Sequence, residues 1–473
     1  MFSDHHPIMA VCSFDLSIKC YLPKTGASVE VPYFRWDHAP LSSYYESTRV
    51  LMQPVLYELN MLLDSSTDDR KSVIEDVDRL NNKVIDALRA SAGQFVPKRR
   101  KNFYKFWWNA ELDVLKENAI ASCKIWKTAN KPKHGPIYDK YRQHKLLHKK
   151  RIKKEQAYET ATFTNELHDC LLRKSGQDFW IIWKSKFDSK NNKIMQVDGI
   201  SDSSIIVNKF AQHFEKVCTP HSVVRDNELR NIYVDKRSRY NEALLLSNKC
   251  ETFSVGTIAD LLAKMKNGKA AGLDEISCEH LKYSHPIVIS ILCKLFNLFV
   301  VYEHIPDSFG RSYTVPVPKI NVYNRAVSVD DFRGISISPV VSKLFEHAIL
   351  DRFAYYFITS DNQQGFKKQL SCRHVIYNVR NVIEHYIASG STVNVCFLDL
   401  SKAFDRMNHH ALFIKLMDKK FPIELLSILE QWFKMSFTCV KWNESTSYFL
   451  DYWLVFDKGE CCRHSFLHYL LTV

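Results

Sequence analysis

A chain of 473 residues that is 46% hydrophobic and carries only 13 Gly and 15 Pro can bury substantial cores, which excludes a disordered or low-complexity polypeptide. Its 65 Lys and Arg against 52 Asp and Glu leave a formal charge of +13, a balance that favours a polyanionic partner. The 13 Cys form no C-x-x-C pair and no zinc spacing with His, which favours reduced thiols over a disulfide framework.

The start, MFSDHHPIMAVCSFDL, has neither a basic leader nor a continuous apolar run, so no secretory signal is expected. Residues 41–90 carry apolar positions at spacings of three and four, first Val50, Leu51, Val55, Leu56 and Leu59, then Val73, Val77, Leu80, Val84 and Leu88. That period predicts two amphipathic scaffold helices. From Pro97 to Lys154 there are 18 Lys and Arg against four acids, so this block holds the net charge of the chain and the rest is near neutral. PKRRKNFYKFWWNAEL interleaves Tyr104, Trp107 and Trp108 with Lys98, Arg99, Arg100 and Lys101. KYRQHKLLHKKRIKK continues at helical spacing through Lys149, Lys150 and Arg151. Cations with aromatic rings suit phosphate neutralisation and base stacking, although a basic run is equally the solvated face of a helix.

Residues 155–250 read as largely helical, with FWIIWKSKF and IIVNKFAQHFEKVC as apolar anchors around a polar loop. HPIVISILCKLFNLFVVY is the most apolar long run; Lys294 and Asn297 interrupt it, and it falls short of the ~20 residues of a membrane span, so it reads as a buried helix. The other elements from Thr252 onward are a helix in VGTIADLLAKMK, a turn-rich KNGKAAGLDEI, a strand pair around YTVPVPKI and a helix in PVVSKLFEHAILDRF. They are followed by a helix in HVIYNVRNVIEHYI, a strand in TVNVCFLDL and a helix in HHALFIKLM. Helices alternating with few strands predict an α+β class.

In TVNVCFLDL, Val393, Val395 and Phe397 alternate with Asn394, Cys396 and Leu398, which would bring Asp399 to the rim of a sheet, where a carboxylate stays ionised and can hold a hard cation such as magnesium. Phosphoryl transfer with two cations about 4 Å apart needs several anionic ligands, which a lone aspartate cannot supply. Asp405, six residues on, reads as a residue of the following helix. No phosphate-binding GxxxxGK[ST] loop is present.

The fuller string FLDLSKAFDRMNHHALFIKLM resembles the first catalytic motif of reverse transcriptases of non-LTR (LINE-type) retrotransposons: an aromatic, any residue, Asp, then Ala-Phe-Asp after a spacer. KNGKAAGLDEISCEHLK, YTVPVPK, DDFRGISISPVVSKLFEHAILDRF and DNQQGFKKQLSC precede it in the family's order. The resemblance implies that Asp399 is the catalytic metal ligand, assisted by the carbonyl of Leu400. It implies that Phe404 is the aromatic gate against a ribose 2'-hydroxyl, and that Lys319 and Arg333 neutralise the incoming triphosphate. Two departures stand out: the family's Arg-Pro-Ile is Arg333, Gly334, Ile335, and its Gln-Phe-Gly-Phe-Arg is Gln363, Gln364, Gly365, Phe366, Lys367. Both are expected to loosen the fingers.

The family's later aromatic, any residue, Asp-Asp hairpin has no counterpart after Asp399. Where the family shows Val-Arg-Gln-Gly-Gly-Val-Leu-Ser-Pro, this chain has VFDKGECCRH, and codons for Val455 to His464 read from the third base can spell that loop. Residues 455–473 therefore read as out of frame, and an inert copy is expected. SDHHPI resembles the last motif of the endonuclease domain that precedes such polymerases, with Asp4 and His5 at the scissile phosphate.

The expected organisation is an endonuclease remnant over 1–20, a mostly helical linker over 21–250 with the basic segment 97–154, and an incomplete right-hand polymerase, fingers and partial palm, over 251–473. Two magnesium ions, an RNA template and a DNA primer are the family's cofactors and partners. An intracellular, non-membrane location is expected, nucleus or cytoplasm being indistinguishable. The alternative to a polymerase fragment is a non-catalytic nucleic-acid-binding protein that uses the basic segment.

Overall fold

The computed structural model describes residues 34–64, 69–98, 109–173, 176, 179–180, 182–183, 196–217, 223–244, 252–319, 326–357, 370–398 and 408–451. They fall into two compact units, one of residues 34–98 and 196–451, the other of residues 109–183.

The first unit begins with two long helices, α1 (Leu41–Asp64) and α2 (Arg70–Phe95). Asp69 caps α2 by accepting from the amide of Lys71, which satisfies one of the orphan N–H groups of the first turn. The apolar stripe of α2 is buried as its spacing predicts: Val73, Val77, Leu80, Val84 and Leu88. In α1 the buried stripe is instead Tyr44, Thr48, Met52, Val55 and Leu59. The expected Val50 and Leu51 face solvent, because the bonds that seat this helix come from its polar residues. Tyr44 donates to the carbonyl of His280, and Thr48 accepts from the amide of His285.

The centre of this unit is α9. The other helices of the unit, in chain order, include α5 (Ser203–Val217), α6 (Val223–Leu244), α7 (Val255–Lys264) and α8 (Cys278–Lys282), then α9 itself (Ile287–Val301), α10 (Val340–Arg352) and α12 (His409–Asp418). α9 packs against α1, α2, α7 and α13 (Ile423–Lys434). The two polar residues that interrupt its apolar run are both satisfied. Lys294 bonds the side chain of Asn60, and Asn297 accepts from the amide and donates to the carbonyl of Phe253. Phe345 of α10 is the aromatic hub of the core, with the rings of Phe253, Phe296, Phe299, Phe309 and Trp432 4.9 to 6.2 Å away. The helices of residues 41–95 and 223–244 pack against this core, so the change of sequence pattern at Thr252 does not coincide with a break in packing.

A four-stranded mixed sheet completes the unit, in the order β2-β1-β3-β4. β1 (Arg311–Pro318) pairs antiparallel with β2 (Phe332–Ile337) and, over Arg311–Thr314, parallel with β3 (Phe437–Trp442); β3 pairs antiparallel with β4 (Ser445–Asp451). Pro316 and Pro318 lie beyond Thr314, where β1 has β2 alone as neighbour and a missing N–H is tolerated. α5 covers one face of the sheet, with the ring of Phe210 4.9 Å from Phe332 and 5.3 Å from Trp442. Helices around a small sheet make the class α+β, as the sequence predicts.

One expected element does not form among the described residues. Residues 392–398 of the expected strand TVNVCFLDL pair with no described strand, and Phe397 and Leu398 are 87% and 91% exposed. The preceding helix, α11 (Cys372–Ala388), forms where its period predicts, yet buries none of its residues. Alternation specifies a strand only where a sheet exists to receive it.

The second unit contains α3 (Ala110–Thr128) and α4 (Pro136–Leu172), packed on each other. Trp126 stacks on Tyr141 at 4.6 Å and donates from Nε1 to the carbonyl of Pro132, which fixes the turn between the helices. Arg151 binds Glu111 at 2.8 Å and Glu155 at 2.7 Å, joining the far ends of the pair. Trp180 and Trp183, expected to be apolar anchors, are 57% and 40% exposed. Among the described residues no helix is long and apolar enough to cross a membrane.

Candidate functional site

The β1–β2 ribbon brings two of the predicted residues together. Val317 stands opposite Arg333, and the ladder runs one step past the strand, where the amide of Lys319 donates to the carbonyl of Asp331 at 2.8 Å. Lys319 therefore follows Val317 by two residues, so the side chains of Lys319 and Arg333 leave the ribbon on the same face. Both are exposed. Lys319 Nζ donates to the carbonyl of Asp330 at 2.7 Å, and Arg333 makes no ion pair among the described residues. An ammonium and a forked guanidinium side by side on a rigid ribbon suit a polyanionic phosphate group.

The opposite face of the ribbon is packed closely. A side chain at Gly334 would begin 2.8 Å from Thr314 Cγ2 and 3.3 Å from Phe214 Cζ. The expectation that this glycine loosens the fingers is corrected: the space is filled by the Thr314 methyl and the Phe214 ring. Thr314 Oγ1 also lies 2.7 Å from Ser336 Oγ and 3.0 Å from Thr438 Oγ1, so one hydroxyl chain crosses three strands.

The turn-rich KNGKAAGLDEI docks beside β1. Tyr313 donates to the carbonyl of Ala271 at 3.0 Å, and Lys441 Nζ lies 5.3 Å from the Tyr313 ring. Gly272 has no room for a side chain, since a β-carbon would come within 2.8 Å of Pro339 Cα. Asp274 is half-buried, with Oδ1 accepting from the amide of Ile276 and Oδ2 out of solvent with no hydrogen-bond partner among the described residues. Burial pushes its carboxyl up to about 7, against the smaller opposing pulls of the Ile276 amide and the Arg89 charge.

Residues 317–456, which include Lys319, Arg333 and all of β2, match the family of reverse transcriptases (RNA-dependent DNA polymerases). The chain is 23% identical over 245 residues to a probable RNA-directed DNA polymerase from transposon X-element of Drosophila melanogaster, covering 50% of this chain and 26% of that protein. It is 20% identical over 348 residues to the RNA-directed DNA polymerase from mobile element jockey of Drosophila funebris, covering 64% and 36%. A probable RNA-directed DNA polymerase from transposon BS of Drosophila melanogaster is 23% identical over 229 residues. This segment is a LINE-type reverse transcriptase domain. The chain spans about a quarter to a third of the length of these relatives.

Of the residues expected to act in the reverse transcriptase, Lys319 and Arg333 are thus adjacent, while Asp399, Leu400, Phe404 and Asp405 lie outside the described residues, as do Gln364 and Lys367. Among the described residues no three His, Cys, Asp or Glu side chains converge to hold a metal. Asp4 and His5 also fall outside, with Arg99, Arg100, Lys101, Tyr104, Trp107 and Trp108. Lys98 pairs by its backbone with Phe34, and its Nζ lies 5.8 Å from that ring. Lys149 and Lys150 are exposed on α4, whereas Arg151 is occupied by its two glutamates.

Sequence reasoning missed α13 and the β3–β4 hairpin, which support the ribbon. A signal was available: Asn443 and Glu444 separate two alternating runs, and Asn443 adopts φ 52°, the left-handed conformation that asparagine tolerates in tight hairpins.

Proposed function

We propose that residues 251–473 are the fingers and part of the palm of an RNA-directed DNA polymerase in which Lys319 and Arg333 receive the triphosphate of a deoxynucleotide. The observation that supports this reading is their common face on the β1–β2 ribbon, two residues apart in register and both open to solvent. Asp399 with the carbonyl of Leu400 would hold a divalent cation, which neutralises phosphate charge when bound. Phe404 would exclude a 2'-hydroxyl. RNA template and DNA primer are the macromolecular substrates by the same family reading.

A polypeptide of these 473 residues offers one carboxylate in the family position. One carboxylate does not organise the two cations that phosphoryl transfer requires, so this polypeptide binds nucleotide and does not extend a primer. The test is a primed RNA template with magnesium and deoxynucleotides, run beside direct nucleotide binding. Binding without incorporation is the expected result. Incorporation that is lost in Asp399→Ala would overturn the inert reading, and absence of nucleotide binding would overturn the assignment of Lys319 and Arg333.

A second reading is compatible with the first: residues 97–154 bind nucleic acid without chemistry. The observation favouring it is the paired helices α3 and α4, whose lysines remain largely solvent-exposed.

A further inference from the structure

Within α4 the cations are sorted by face. His144, Arg151 and Glu155 turn toward α3: His144 Nδ1 lies 3.2 Å from the carbonyl of Asn118, Arg151 binds Glu111, and Glu155 is buried. At ~100° per residue, Arg142, Lys145, Lys149 and Lys153 fall within about 80° of one another on the other side, along ~16 Å of helix axis. All four are exposed. Lys145 is held upright by a 3.0 Å bond to the Tyr141 hydroxyl; Arg142, Lys149 and Lys153 make no ion pair among the described residues.

Two other solvated helices manage their charge differently. On α2, Arg79 pairs with Asp76 and Arg89 with Asp86; on α11, Arg380 pairs with Glu384. On α4, Lys145, Lys149 and Lys153 have no carboxylate three or four positions away in either direction, and each has a like charge there instead. Like charges at that spacing destabilise a helix, and a bound external polyanion would offset that cost.

We infer that Arg142, Lys145, Lys149 and Lys153 form a linear surface for the sugar-phosphate backbone of a nucleic acid, held by charge and blind to sequence. The inference rests on the second reading above and narrows it from a 58-residue block to one face of one helix. Arg151, central in the basic run, is excluded from the surface because its guanidinium is committed to Glu111 and Glu155.

The test compares two charge-matched variants of the full chain, Lys149→Gln/Lys153→Gln on the stripe and Lys140→Gln/Lys154→Gln off it. Binding of a fluorescent 20-nucleotide RNA, and of a duplex DNA of the same length, is measured across salt concentrations. Each lost phosphate contact lowers the slope of log affinity against log salt by ~0.7 for a single strand and ~0.9 for a duplex. The stripe variant is expected to lose about 1.4 and about 1.8 respectively, the off-stripe variant to keep the slope of the unmodified chain, and a scrambled RNA to bind equally. Far-ultraviolet circular dichroism checks that both variants keep their helix content. Equal losses in the two variants would overturn the stripe while leaving nucleic-acid binding intact. No salt-dependent binding by the unmodified chain would remove the reading on which it rests.

Discussion

A β-carbon placed on Gly334 would lie 2.8 Å from Cγ2 of Thr314, its diagonal neighbour across the β1–β2 ribbon. The glycine is thus set by its neighbours, and Gly334→Ala should cost ~1–3 kcal/mol through overpacking. Thr314→Ser removes the obstructing methyl and keeps the hydroxyl that reaches Ser336 and Thr438. Urea unfolding of both single variants and the double should show the alanine tolerated once the serine is present; independent, additive losses would contradict the steric account.

Gly310 is confined more severely, since a side chain there would meet the backbone carbonyl oxygen of Met435 at 2.0 Å. Backbone at the end of α13 cannot swing aside as a flexible side chain can. Gly310→Ala should therefore displace the start of β1 from β3 and lose at least the ~3 kcal/mol upper range of overpacking. Thermal unfolding against Gly93→Ala, a site with open space around it, provides the comparison.

Lys319 and Arg333 should contribute unequally to nucleotide binding. Lys319 Nζ already donates to the carbonyl of Asp330, whereas Arg333 is uncommitted within the described residues. A charged hydrogen bond is worth ~1.5–3 kcal/mol, so Arg333→Ala should weaken binding of a deoxynucleoside triphosphate by about tenfold to about a hundredfold. Lys319→Ala should lose less. Titration calorimetry with the triphosphate and the matching nucleoside would show whether the loss resides in the phosphates.

Asp274 gives stability a pH dependence of definite sign. Burial raises its carboxyl from 3.8 to about 7, so the folded protein holds a proton that the unfolded chain releases near pH 4. The contribution is fully present below pH 4 and declines as pH rises, until it is lost at about 7, where the buried group ionises. Asp274→Asn keeps an acceptor for the Ile276 amide and removes the titration. Denaturant midpoints at pH 5 and pH 8 should converge in this variant relative to the unmodified protein; an unchanged gap would place the pH dependence elsewhere.

The sequence by itself determined the family, the helix of Val73 to Leu88, the buried helix at 287–301 and the concentration of charge in residues 97–154. These follow from local properties: a motif's spacing, a period of 3.6, a run of apolar residues and a count of lysines. Tertiary structure decided the rest. The buried face of α1 follows Tyr44 and Thr48, because their hydroxyls reach backbone groups near residue 280 that no local pattern encodes. Residues 391–398 have a strand's alternation yet pair with no described strand, since pairing depends on a partner distant in the chain. Glu155, four residues on, sets Arg151 apart from Lys149 in the sequence, but only the approach of Glu111 from α3 turns Arg151 into a clamp between two helices while Lys149 stays open to solvent.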